Sequence, residues 1–402
     1  MSTPSDDGTV GEGIFPSVPE HAVPDPLPIV EFKPWHLPRK QWVRCRQWAG
    51  STASLLEGLE IRDRPLRYLG LPGSDLLDLE VLATACRTAA RFRYLGLNSA
   101  SRKPSDVTMQ RIAENALLEI GTVDPQSIIL SDDFSTLASK RSIAWSRVQE
   151  FESFDIVNLD LCDAFTSSGQ KPIHLALRNV VEYQTNARTQ PWLLFMTITA
   201  DKRAIDDEEL RSYSELLQAN AAGSSTFDQS LRLLIDDGTV EPKDALSRLA
   251  GRGFAKLLAL TVGKWLHGII DGQPGWGLTL ESSVYYRWGI TDQRPATGAV
   301  ADGGLLSAVY LMTRRPIPAI DESGLSGPPT LANGVMDRDS EFKTAIQMAK
   351  RVSTTVDLDC VLQNDHQLRE KLVNESVLLL GSRNYDVNQY MAYAQRVRRV
   401  DC

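Results

Sequence analysis

The chain has 402 residues, 42% of them hydrophobic and 23% charged, and a formal net charge of −8. That length supports one large domain or two smaller ones. The acidic balance removes any whole-molecule attraction to nucleic acid or anionic membrane and leaves such binding to local patches. The five cysteines (Cys45, Cys86, Cys162, Cys360 and Cys402) never form a C-x-x-C pair, which argues against a zinc site and a secreted disulfide framework and for a reducing cytoplasm. No apolar run approaches the roughly 18 residues of a membrane span. The opening MSTPSDDGTVGEG has neither the basic nor the apolar region of a signal peptide.

In chain order, residues 1–32 carry Asp6, Asp7, Glu12, Glu20, Asp25 and Glu31, no Lys or Arg, and many prolines. They read as an acidic, Pro-rich extended arm. The sign then reverses. Lys33, Arg39, Lys40, Arg44 and Arg46 are interleaved with Trp35, Trp42 and Trp48, with no acid among them. Arginine beside tryptophan can grip phosphate and stack on a base, so these five cations are the candidate nucleic-acid contacts. The alternative is a helix that packs its tryptophans on the domain and pairs its cations with the acidic arm or solvent. A leucine-bearing helix over Thr52–Ile61 completes a basic N-terminal helical segment, residues 33–62.

The rest of the chain is organised around the stretch Arg64–Ala85. It reads as a buried strand (Leu66–Leu71), a tight turn at Pro72 and Gly73, and a helix capped by Ser74 or Asp75. Gly73 offers a backbone conformation that a side chain forbids. Strand, glycine turn and helix N-terminus together suit a nucleotide-like ligand, because free amides and the helix dipole face it.

The alternation continues through helix Asp75–Ala90, strand Ala90–Ser99, helix Ser105–Ile120, strand Gln126–Phe134 and a short helix near Ser135–Arg147. Strand Phe154–Phe165, helix Lys171–Arg188 and strand Pro191–Asp201 come next. Strands separated by helices of this length predict a parallel, doubly wound sheet. Helical spacing recurs over Asp206–Ala222, Phe227–Asp237 and Pro242–Ile270, with Asp206 to Glu209 suiting a helix N-terminus. Two strands, Gly275–Gly289 and Gly303–Arg315, read as antiparallel neighbours. Residues 316–338 read as a linker. The C-terminal helical module, residues 339–402, contains helices Gln367–Leu380 and Val387–Arg398 and offers either a protein-partner surface or a cap for the sheet. The expected fold is α/β: a doubly wound, mostly parallel seven-stranded Rossmann-like sheet with an antiparallel strand pair, a helical insertion at about 205–272 and a helical C-terminal segment.

Over roughly Leu66–Arg315 this order resembles the class I S-adenosylmethionine-dependent methyltransferases. The chain is similar to divergent methyltransferase-like proteins of bacterial phage-defence loci whose first motif reads LPG. The resemblance implies S-adenosylmethionine as cofactor. In the first motif Gly70, Pro72, Gly73 and Asp75 would wrap its methionine part; Asn98 would stand where an acid holds the ribose; Asp132 or Asp133 would meet the adenine amine. In the strand-four motif Asn158, Asp160 and Asp163 would line the transfer site, with Asn158 and Asp160 as the catalytic candidates and Asp160 positioning the acceptor or acting as base. All these positions are at carboxyl ends of parallel strands, where an open α/β sheet binds ligands.

The chain departs from the family pattern in three places. The turn is G-x-P-G, Asn98 has no charge, and NLDLCD is not the Asn-Pro-Pro-Tyr type that marks amino methylation of bases. The acceptor therefore stays open, with nucleic acid or a nucleic-acid-associated protein as the expectation. The second hypothesis is a catalytically inactive subunit that assembles a bacterial defence system. Among the remaining candidates, Cys162 reads as a small buried residue and His174 as either a base near the cleft or a surface cap. His36 and His267 read as packing residues. Asp132 and Asp133 are adjacent on a strand and do not chelate together, so no metal is expected.

Overall fold

Eight strands form one sheet in the order β3-β2-β1-β4-β5-β7-β6-β8 in the computed structural model of the chain. The structure describes residues 31–59, 61, 64–99, 104–161, 165, 172–235, 240–271, 275–287, 303–315 and 338–395. The expected arm (1–32, except its last two residues), most of the linker, Cys162 and Asp163 lie outside them. The parallel core consists of β1 (Leu66–Gly70), β2 (Phe92–Leu97), β3 (Ile128–Leu130), β4 (Ile156–Asp160) and β5 (Trp192–Thr199). Each matches an expected strand to within a few residues at either end. β5, WLLFMTIT, is apolar almost throughout because helices cover both of its faces. The long strands β6 (Trp276–Arg287) and β7 (Gly304–Arg314) are antiparallel neighbours, as expected, and β7 lies between β5 and β6. The eighth strand, β8 (Val356–Asp357), runs parallel to β6 and is too short to leave a periodicity in the sequence.

Each face of the sheet has its own core, because successive strand side chains point to opposite sides. One face meets α5 (Ile143–Glu150), α6 (Ile173–Ala187), the inserted helices α7 (Asp207–Gly223), α8 (Ser225–Ile235), α9 (Ala245–Arg248) and α10 (Gly251–Asp271), and α11 (Arg338–Ser353). The other meets an N-terminal strap of a short 3₁₀ turn (Pro34–His36), α1 (Pro38–Trp42), a π-helical turn (Val43–Trp48) and α2 (Ala49–Gly58). It also meets α3 (Leu77–Cys86) and α4 (Pro104–Glu119). The helices α12 (Leu358–Asn364), α13 (His366–Gly381) and α14 (Val387–Gln395) close the chain, with α13 packed on α1. Trp48 anchors the strap: it is fully buried and stacks on Phe195 of β5 with ring centroids 5.8 Å apart and planes 4° from parallel. Burying a side chain of that size contributes on the order of 2–3 kcal/mol.

Three local expectations differ. Pro242–Ile270 is not one helix: the chain turns out at Leu249 and restarts at Gly251, which takes φ +56°, a region that glycine tolerates and side chains do not. The helix near Ser135–Arg147 divides into a 3₁₀ turn at Phe134–Ala138 and α5, which Ser142 caps by accepting a hydrogen bond from the Trp145 amide. The helix after β1 begins at Leu77, and its N-cap is Leu76 at φ 51°, with no side-chain cap from Ser74 or Asp75. Asp206 does cap α7, accepting from the Glu209 amide at 2.8 Å. Among the described residues no helix is long and apolar enough to cross a membrane.

Candidate functional site at the carboxyl edge of the sheet

The chain leaves β1 toward β2 on one side, and β4 flanks β1 on the other, so the strand order reverses between β1 and β4. Open α/β sheets bind ligands in the crevice at such a reversal, beyond the carboxyl ends of the strands. Here the last residue of β1, Gly70, is in register with Asn158 of β4. On β4 the alternation sends Val157 and Leu159 into one core and leaves Ile156, Asn158 and Asp160 on the strap face.

Asn158 is completely buried, and neither its amide nitrogen nor its carbonyl oxygen makes a hydrogen bond of acceptable geometry. The Tyr68 hydroxyl, two residues before Gly70 on the same face, is also buried without such a partner. A Cβ on Gly70 would collide with the Tyr68 ring, so glycine is what lets that ring fold back along the strand. Burial, and then the charge of Asp78, push the Tyr68 hydroxyl far above its ordinary pKa, and the Asn158 side chain beside it pulls the other way without offsetting them. The hydroxyl therefore stays protonated and able to donate. A buried amide or hydroxyl without a partner costs on the order of 1–3 kcal/mol, and Asn158 and Tyr68 place two such side chains at this strand reversal.

The remaining predicted residues occupy the same edge in different ways. Pro72 leans across β2, where a Cβ on Gly96 would come within 2.8 Å of its ring. Gly73 has no left-handed φ; Leu76 takes that conformation instead, so the turn does not need glycine for the reason expected. Asn98 is buried at the end of β2 and its amide donates to Gln110 of α4 at 3.4 Å. Asp132 is half-buried, and Asp133 caps the following 3₁₀ turn through the Ser135 amide at 2.9 Å.

Asp75, expected to wrap the cofactor's methionine part, and Asp160, expected to position the acceptor or act as base, both hold partners from within the chain. The Asp75 carboxylate is held by His36 Nε2 at 2.6 Å, by the Tyr385 hydroxyl at 3.1 Å and by Trp35 Nε1 at 3.4 Å, while Arg383 donates to the Asp75 carbonyl at 3.0 Å. Burial pushes this carboxyl up, but the hydrogen bond and charge of His36 outweigh it and the pKa falls to about 2. Asp160 accepts from the Lys40 ammonium at 2.7 Å.

The basic N-terminal segment supplies these cations, and this corrects its expected surface placement. Arg39, Lys40 and Arg44 are each under 5% exposed and pair with Asp359, Asp160 and Asp78 respectively. Burial disfavours the Arg44 charge, but Asp78 outweighs it and raises the pKa. Arg46 stays exposed, 3.9 Å from Glu375, and Lys33 is half-buried with its backbone amide on His36 Nδ1. Composition shows the cations and tryptophans but not which way they face. His36 is more than the packing residue expected, and Tyr68, Arg383 and Tyr385 join the edge without having stood out in the sequence. No sequence signal marks the partners at Asp75, because His36 and Tyr385 arrive from 39 and 310 residues away.

His174 lies on the opposite face, with Nδ1 3.6 Å from Glu209 and Nε2 3.4 Å from the Tyr213 hydroxyl, packed on Phe165 and Trp265. Burial lowers its pKa despite Glu209. It is enclosed rather than a surface cap.

The strand order, with antiparallel β7 inserted between β5 and β6 at the end of a parallel 3-2-1-4-5 series, is that of the class I methyltransferase fold. Solved structures with some likeness include a SAM-dependent methyltransferase from Agrobacterium tumefaciens, at 11% identity and TM-score 0.30. That match covers 66% of this chain and 62% of the other, so this chain spans less than two thirds of its length. An rRNA methylase from Streptococcus thermophilus is 10% identical with TM-score 0.28, covering 66% of this chain and 96% of the other. The rRNA methyltransferase aviRa from Streptomyces viridochromogenes is 18% identical over 37% of this chain and 72% of its own, with TM-score 0.23. Likeness at this level leaves the fold assignment to the strand order itself. A comparison with curated proteins returns no match. One family model, described as PP_RS20740-like, matches residues 29–395. It takes in the strap, the whole sheet and the C-terminal helices together, and the chain belongs to the PP_RS20740-like family.

Proposed function

We propose that the chain binds S-adenosylmethionine at the β1–β4 reversal and transfers its methyl group to an acceptor. The observation that carries this reading is the fully buried Asn158 carboxamide, unpartnered in register with Gly70 at a class I methyltransferase ligand edge. A donor and an acceptor on one side chain, with the Tyr68 hydroxyl beside them, fit the polar amino-acid end of the cofactor. Asn98 and the Asp132–Asp133 pair at the next two strand ends fit its nucleoside end. Asp75 does not fit a role as a free carboxylate, since His36, Trp35 and Tyr385 already occupy it. The bound cofactor supplies an activated methyl group on a sulfonium. This chain's residues contribute alignment and the exclusion of water by the strap.

The test is calorimetric titration of the full chain with S-adenosylmethionine and with S-adenosylhomocysteine. Binding in the micromolar range, weakened at least about tenfold by Asn158→Leu in a folded protein, is the expected result. Absence of heat from either compound at protein concentrations well above that range overturns the reading.

A second reading, a non-catalytic binding subunit on the same fold, is favoured by the internal pairing of Asp160 with Lys40. It shares the nucleoside site and differs in turnover. Methyl incorporation from labelled cofactor into nucleic-acid and protein fractions distinguishes the two.

A further inference from the structure

A carboxylate and an aromatic face are the groups that hold a positively charged sulfonium. At the end of β4 both are present, and both already hold a cation. Lys40 Nζ is 2.7 Å from Asp160 Oδ1 and 4.3 Å from the centroid of the Trp48 ring. The Lys40 side chain is 2% exposed and Asp160 11%.

The strap that carries Lys40 is pinned on both sides. Gln47 donates to Ser282 Oγ and to the Ser307 carbonyl, each at 3.1 Å, and accepts from Ser307 Oγ at 2.8 Å. Arg44 is fixed on Asp78. The ammonium is therefore a built feature of this edge, beside the unpartnered Asn158 and Tyr68 groups, and not a solvated side chain resting there.

The cofactor and its demethylated product share every recognition group except one methyl and one unit of charge. A fixed ammonium discriminates between them through that charge alone. We propose that Lys40 is the charge-selecting residue of the nucleoside site. With Lys40 on Asp160, the closed site takes the neutral adenosyl thioether in preference to the adenosyl sulfonium, which enters when Lys40 gives up Asp160. This rests on the proposed nucleoside site, but its test fails separately from that reading.

The experiment measures dissociation constants of S-adenosylmethionine and S-adenosylhomocysteine for the full chain and for Lys40→Met, by calorimetry, with a thermal melt on each protein. The ratio of the two constants is the readout. In K40M it shifts toward the sulfonium by about tenfold or more, because a like charge is removed and the Asp160 carboxylate is left without its counter-charge. K40R keeps the ratio of the unaltered chain. Where K40M does not fold, K40Q, which retains a hydrogen bond to Asp160, gives the same readout. An unchanged ratio, including one in which both ligands weaken equally, assigns Lys40 a purely structural role and overturns the proposal. Loss of binding of both compounds by the unaltered chain overturns the nucleoside site itself.

Discussion

The two edges of the sheet both bury carboxylates, and they treat them differently. At the amino edge, Asp155 is completely buried and saturated. It accepts from both terminal nitrogens of Arg64 at 2.7 and 2.8 Å, from Arg188 at 2.5 Å and from the Arg67 amide at 2.8 Å. At the carboxyl edge, Asp78 and Asp160 are paired by Arg44 and Lys40 and Asp75 is held by His36, all from the strap, while Asn158 and Tyr68 beside them lack a hydrogen-bond partner of acceptable geometry. One edge is a joint in which the donors offered to the carboxylate match what it can accept. The other leaves the Asn158 carboxamide and the Tyr68 hydroxyl unmatched next to its paired carboxylates.

Breaking the joint has the largest effect. Asp155→Ala strands Arg188 in a buried site with no counter-charge and costs about 3–5 kcal/mol, read from denaturant unfolding. Trp48→Ala is next. It removes the ring on Phe195 and loosens the strap for about 3 kcal/mol, and the expected signature is a rise in proteolysis within residues 33–58 before the rest of the sheet.

Acid sharpens the comparison. The Asp75 carboxyl is depressed to about 2 in the folded chain, against an ordinary aspartate value of about 3.9 when unfolded. Its contribution is therefore complete above about pH 4 and disappears as pH falls toward 2. The stability difference between the unaltered chain and Asp75→Asn should be flat at higher pH and close over that window. A difference that persists at pH 2 would show that the carboxylate is not what His36 holds.

The smallest effect is the most telling. Asn158→Leu removes a buried amide with no hydrogen-bond partner of acceptable geometry, so stability should rise by up to about 1 kcal/mol while the proposed nucleoside binding weakens at least about tenfold. A marked loss of stability would mean that the amide is structural and that the two edges are alike.

Much of the architecture was legible because its signals are local. The strands at Leu66, Phe92, Ile156 and Trp192 announce themselves as short apolar runs between helices, and the antiparallel pair by its short connection. The site was legible only as positions. Gly70 ends β1, Asn98 follows β2, Asp133 lies beyond β3 and Asn158 lies within β4, but the partners of Asp75 and Asp160 come from segments whose facing no periodicity records. Lys40 and Arg44, four apart, read equally well as an exposed basic stripe. Their burial is decided by Asp160 and Asp78, which are 120 and 34 residues away. Gly73 looked like the residue that bends the turn, whereas Leu76 takes the left-handed conformation. A leucine in that role carries no compositional warning.

The hydrogen bond from Tyr390 to the His36 carbonyl spans 354 residues, and Tyr385 to Asp75 spans 310. On a chain synthesised from its N-terminus, neither bond can form until the last helices have emerged, although the parallel strands have been available for pairing long before. The contacts on Asp75 and His36 from the C-terminal helices are thus the last to form at this edge. A nascent chain stalled short of α14 would have Lys40 and Arg44 already on Asp160 and Asp78 but would lack the Tyr390 hydrogen bond to the His36 carbonyl.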